Sequence, residues 1–203
     1  NFLNAGDVVS ATATFSEAVT VTTTNGTPYL NLNVGGTTVQ AAYASGSGTT
    51  TLIFSYTILS GQTDANGVSI DTNSLNLNNG SITDTAGNTA TLTHTAVSDN
   101  ASYMVDTTAP TTTVSTVVFS ADTGTSGSDF VTATAAQDIS GTLSANLASG
   151  ETVYVSLNNG STWTAATATV GQNTYSLTGQ TLTSSNTLKV KLTDAAGNSG
   201  TVF

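Results

Sequence analysis

The chain has 203 residues, 37% of them hydrophobic and 7% charged, and its formal net charge is −10. That apolar fraction is too high and that charge density too low for a disordered chain. With two lysines, no arginine and no cysteine, the composition excludes nucleic-acid binding through a basic patch, docking on anionic membrane surfaces, disulfides and thiolate metal sites.

Threonine, serine, asparagine and glycine fill the polar positions, and the apolar residues are largely Val, Leu, Ile and Ala, as expected of an all-β protein. Val9, Ala11, Ala13 and Phe15 alternate with Ser10, Thr12 and Thr14, which predicts the first half-buried strand. Leu30, Leu32 and Val34 alternate with asparagines, and Leu52, Phe54, Tyr56 and Ile58 with hydroxylated residues. Thr91-Leu92-Thr93-His94-Thr95 also reads as a strand, with His94 on its surface. In the second half Val153, Val155 and Leu157 form one face, and Leu188, Val190 and Leu192 another. Lys189 and Lys191 interleave with the last three and are expected on the solvent side together. Asn25-Gly26, Gly35-Gly36, Asn79-Gly80 and Asn159-Gly160 mark turns between such runs. No segment carries a 3.6-residue period, so negligible helix is expected.

The chain also repeats itself. Asp84-Thr85-Ala86-Gly87-Asn88 returns as Asp194-Ala195-Ala196-Gly197-Asn198, 110 residues later. That period suits whole sandwich domains in tandem rather than a solenoid. Between the copies lies Val105-Asp106-Thr107-Thr108-Ala109-Pro110, where the proline stiffens an extended connector. Two immunoglobulin-like β-sandwich domains follow, residues 1–105 and 106–203.

Several stretches resemble the Ig-like repeats of giant, type I-secreted, RTX-like bacterial adhesins. They are Gly6-Asp7, Phe15-Ser16-Glu17-Ala18-Val19, Thr27-Pro28-Tyr29-Leu30 and Tyr43-Ala44-Ser45-Gly46-Ser47-Gly48. The Asp-x-Ala-Gly-Asn loops, the Asp-Thr-Thr-Ala-Pro linker, Asp122-Thr123-Gly124 and Ser128-Asp129-Phe130 complete the pattern. The resemblance implies a secreted, cell-surface, calcium-binding extender between the cell and a ligand-binding tip, serving adhesion or biofilm formation. Its partners would be neighbouring domains of the same chain, with no membrane insertion and a monomeric state. Against that pattern the first domain begins after its expected first strand, and residue 203 precedes the next linker. Opening at Asn1 without Met, signal peptide or lipidation motif, the sequence reads as a piece of a longer chain.

Catalysis has little to work with. There is one histidine, no Gly-x-Ser-x-Gly elbow, and only Glu17 and Glu151 as glutamates. Ser156-Leu157-Asn158-Asn159-Gly160-Ser161-Thr162-Trp163 resembles a sialidase Asp-box, but a single copy without arginine reads as a tight hairpin with a packed tryptophan. A carbohydrate- or protein-binding tip module is the alternative, and it lacks a visible aromatic platform.

Calcium fits the residues better, since it takes six to eight oxygens from carboxylates, amides and backbone carbonyls. The candidate ligands are Asp84, Asn88, Asp194 and Asn198 in the repeated loops, Asp106 in the linker, and Asp7, Asp64, Asp122 and Asp129 in turns. Sandwich topology places Asp194–Asn198 near Asp106 and Asp7. It turns Asp84 and Asn88 towards a preceding domain, and Asp122 and Asp129 towards a following one.

Overall fold

Alternating apolar and hydroxylated residues become strands in the computed structural model, which describes residues 2–203. The fold is all-β: among the described residues the one helical element is a 3₁₀ turn, Ala101–Tyr103. The chain divides into two compact units, the first ending at Thr108 and the second spanning Ala109–Phe203.

The first unit contains β1 (Phe2–Leu3), β2 (Val8–Thr22), β3 (Tyr29–Val34), β4 (Thr37–Ser45), β5 (Thr49–Thr57), β6 (Thr63–Asp64), β7 (Leu75–Asn76), β8 (Ser81–Asp84) and β9 (Met104–Asp106). Six strands form one sheet in the order β7-β3-β4-β5-β2-β8, and three form another in the order β1-β9-β6. β2 gains a second partner along its length: Val8–Thr14 pairs with β5, which it meets once more at Val19, and Val19–Thr22 pairs with β8. The irregular stretch between Thr14 and Val19 breaks the first ladder and lets the second begin. The alternation read in sequence becomes burial, because Leu30, Leu32, Val34, Leu52, Phe54 and Ile58 all enter one core with Ile82 and Val105.

β9 sets the edge of this unit. It pairs in parallel with β1 and antiparallel with β6, and Val105 is 2% exposed. Val105 is therefore tied into the first unit on both sides and Asp106 on one, and the first compact unit runs on to Thr108 rather than ending at residue 105. His94 also differs from expectation. It lies in a segment without a ladder, held by the single Ile70–Val97 bridge and by loop contacts. Alternation persists there without a strand: Leu92 and His94 are half-buried while Thr91, Thr93 and Thr95 are exposed, so the imidazole faces inward.

The second unit contains β10 (Val114–Phe119), β11 (Ala136–Leu143), β12 (Thr152–Ser156), β13 (Thr164–Ala165), β14 (Thr167–Ala168), β15 (Thr174–Thr181) and β16 (Lys189–Thr193). Its sheets run β10-β11-β15-β14 and β13-β12-β16. Residues 199–203 extend the second sheet, with Gly200 N–H donating to Leu192 C=O (2.9 Å) and Phe203 N–H to Val190 C=O (2.8 Å). With β13 as an added edge strand, the strands thus divide between sheets as ABED against CFG, the immunoglobulin partition. Ile139 and Tyr175 from one sheet meet Val153, Val155, Val190 and Leu192 from the other in a single core. Lys189 and Lys191 remain on the outer face, where the Lys191 ammonium lies 4.7 Å from the Trp163 ring centroid. The Asn158 hairpin is tight: Asn158 Oδ1 accepts from Thr162 N–H, and Ser156 Oγ accepts from Gly160 N–H, both at 2.8 Å.

Candidate metal-binding loops

The repeated loops are built the same way in both units. One starts on Asp84, the last residue of β8, the other on Asp194, just after β16, and each turns on a glycine with positive φ, 91° at Gly87 and 89° at Gly197, which only glycine adopts without strain. Asp84 Oδ1 accepts from the backbone N–H of Ala86 and of Asn88, both at 2.8 Å, while Oδ2 accepts from the Asn88 side-chain amide at 2.7 Å. Asp194 repeats the set with Ala196, Asn198 and the Asn198 amide, all at 2.9 Å. The Asn88 side-chain amide, then the Asn88 backbone N–H, hold the Asp84 carboxyl below the ordinary value of 3.8 against a small opposing effect of burial. In both loops the asparagine turns its NH₂ towards the aspartate, so the carboxylate is satisfied by protein donors. Three of its roughly four lone-pair directions are used, which makes each loop a self-closed Asx-type turn with little left for a cation.

Asp64 is drawn inward instead. It is 3% exposed, and its Oδ2 accepts from Gly35 N–H (2.8 Å) while Oδ1 accepts from Gly67 N–H (2.8 Å) and Asn66 N–H (3.3 Å). One buried carboxylate thereby ties the β3–β4 turn to the loop after β6. A side chain at Gly35 would strike the Thr63 carbonyl, so the turn can approach Asp64 only as glycine. This arrangement is that of a structural brace.

Asp7 is exposed and caps its own turn, accepting from Asn4 N–H at 2.9 Å. Asp106 closes β9, and its Oδ1 accepts from Thr108 N–H at 2.9 Å. Within either unit, among the described residues, no three His, Asp or Glu side chains converge into a group that could hold a metal ion. Calcium ligation inside a unit would therefore draw on hydroxyl, amide and carbonyl oxygens around one or two carboxylates.

The loop between β10 and β11 departs from the others. Asp122 Oδ2 accepts from Phe130 N–H (3.1 Å), and Asp129 Oδ1 accepts from Val131 N–H (3.0 Å). Phe130 holds a φ of 60°, a left-handed conformation that an aromatic residue adopts only when its surroundings impose it. Its ring packs edge-on against Phe119 at a centroid distance of 5.2 Å. Gln137, 2% exposed, staples the base of the loop. Its Nε2 donates to the carbonyls of Ala121 and Thr134, both at 2.8 Å, and its Oε1 accepts from Ala121 N–H at 3.0 Å. Inside this scaffold Asp122 Oδ1 is buried with no hydrogen-bond partner, the one such side-chain oxygen among the described residues. An ionised carboxylate oxygen removed from water without a donor is costly, and a cation or a water is what would relieve it.

The sequence reading named Asp122 and Asp129 but missed Gln137 and the inward turn of Asp64. Gln137 shares the inward face of β11 with Ile139 two residues later, so a polar residue in a buried phase was the available signal. For Asp64 the signal was the pair of glycine turns whose N–H groups need an acceptor. The chain matches no protein-family model and no curated protein.

Proposed function

We propose that this chain is a structural extender segment of a secreted bacterial cell-surface adhesin, rigidified by calcium at its interdomain linker and serving adhesion or biofilm formation. In this reading it is a monomer without catalytic activity, and its partners are neighbouring domains of the same chain. The recurrence of one loop geometry at Asp84 and Asp194 supports a repeated module. The observation that carries calcium binding is the buried, unpartnered Oδ1 of Asp122 in the β10–β11 loop, whereas a site at the linker rests on Asp106 and the family resemblance alone. The same loop carries the Asp129 carboxylate and the paired hydroxyls of Thr123 and Thr132, oxygen donors of the kind a hard cation takes.

A sugar-binding tip module has less support, because the one tryptophan already has an ammonium over its ring. Calorimetric titration of calcium into metal-free protein tests the proposal. A dissociation constant at or below about 10⁻³ M is expected for an extracellular module. The Asp122→Asn variant should lose that site while keeping an acceptor for Phe130 N–H. Absence of calcium binding to the unmodified chain overturns the reading.

A further inference from the structure

The single histidine sits in a hydrogen-bond arrangement that admits one protonation state. His94 Nδ1 lies 2.9 Å from the Thr95 carbonyl, which can only accept, so Nδ1 carries the hydrogen. Its Nε2 lies 2.9 Å from Ser74 N–H, which can only donate, so Nε2 presents its lone pair. Two independent backbone partners thus fix a neutral ring in one tautomer. Ser74 is 9% exposed, and its hydroxyl is committed to the Asp71 carbonyl at 2.8 Å.

The ring stands between two segments that touch at few other points. His94 N–H donates to Asn73 Oδ1 (3.0 Å) and Asn73 N–H to His94 C=O (3.3 Å). Further along, Ile70 and Val97 exchange backbone bonds at 2.9 and 2.8 Å. Residues 91–97 therefore lie as a strap, without a ladder, over a half-open cavity of about 270 Å³ lined by Phe15, Leu30, Ile70, Leu75 and Leu92. Asp71 is the titratable group of the adjoining loop, Glu17 that of β2, and Asp99 the next along the strap. None of them contacts the ring, whose polar partners are the two backbone groups and the Ser74 hydroxyl at 3.5 Å.

From this geometry we infer that His94 is an acid-opened latch, whose protonation at Nε2 releases the 91–97 strap from the Asp71–Leu75 loop and uncovers the apolar cavity beneath. A protonated imidazole donates from both nitrogens, so the acceptor of Ser74 N–H disappears and two donors face each other. The one other polar atom within reach of Nε2 is the Ser74 hydroxyl oxygen, at a long 3.5 Å and already donating to Asp71, and the backbone N–H cannot reverse its role. Histidine is the side chain whose charge changes in mildly acidic water, a range in which ordinary carboxylates stay ionised. The change at the strap is therefore separable from general acid unfolding.

Nuclear magnetic resonance on the intact chain tests this at two points. Near neutral pH the ring nitrogens should report the Nδ1–H tautomer. On lowering the pH from roughly 7.5 to 5, shift changes should concentrate in residues 71–75 and 91–97. Exchange of the Ser74 amide, corrected for intrinsic pH dependence, should accelerate by at least about tenfold. His94→Gln can still offer an oxygen to Ser74 N–H but does not titrate, and it should abolish the pH response. The Nε2–H tautomer at neutral pH overturns the inference. So does a Ser74 amide equally protected before and after the ring titrates, or an unchanged response in the glutamine variant. If that variant fails to fold, the tautomer and the Ser74 protection of the unmodified chain decide alone.

Discussion

Two buried polar residues carry much of the specificity of the two cores. Tyr175, buried in the second unit, donates its hydroxyl to the Thr116 carbonyl at 3.0 Å, and burial pushes its phenol up to about 12. Its ring passes over Gly141, where any side chain would meet Tyr175 and the Thr116 carbonyl. The folded state keeps the phenol neutral, while the unfolded chain ionises it near the ordinary value of 10.0. Stability from this group is therefore complete below pH 10 and is lost as pH rises towards 12. Tyr175→Phe should flatten that alkaline decline in urea unfolding and cost about 1 kcal/mol at neutral pH for the missing hydrogen bond. Asp64 is the counterpart in the first unit. Asp64→Ala leaves the N–H groups of Gly35 and Gly67 without their acceptor, and a loss of about 3 kcal/mol is expected from the same measurement. Added calcium should leave that loss unchanged, since Asp64 serves the backbone.

At the level of strands and loops, local pattern and tertiary partnership separate cleanly. β3, β5, β12 and β16 were legible because period-two burial is written into each segment: Leu30, Leu32 and Val34 go in, as do Val190 and Leu192. The gain of a second partner within β2 was not legible, since neither ladder is encoded in Val8–Thr22 itself. His94 shows the same divide. The sequence pattern suggests a surface strand residue, but which way the ring faces depends on a loop twenty residues earlier, through the Ser74–His94 contact. The candidate site follows suit. The repeated Asp-x-Ala-Gly-Asn loops were visible as a motif, yet the orientation of each asparagine amide, NH₂ towards the carboxylate, belongs to three-dimensional closure. The buried oxygen of Asp122 likewise depends on Gln137 holding the loop base, a contact across fifteen or so residues that no motif announces.

Charge organises the whole molecule. The first unit carries Asp7, Glu17, Asp64, Asp71, Asp84, Asp99 and Asp106 with no lysine or arginine, and both cations lie on one strand of the second. Such a chain repels itself at low ionic strength, and exposed carboxylates more than about 8 Å apart are screened at physiological salt. A specific divalent ion would act differently from salt, by tying carboxylates to neighbouring oxygens. At roughly 1 mM calcium, a site with a dissociation constant of about 10⁻⁴–10⁻³ M adds only about 0.4–1.4 kcal/mol. Domain stability is thus a weak reporter of one site, and the dimension of the chain in solution is the more sensitive one, because relative motion is the default expectation for linked domains. Small-angle scattering of the intact chain in calcium and in chelator, at matched ionic strength, tests the central claim most directly. The account predicts a larger and better-defined maximum dimension with calcium, blunted by Asp106→Ala. The same maximum dimension and distance distribution in both solutions would contradict it.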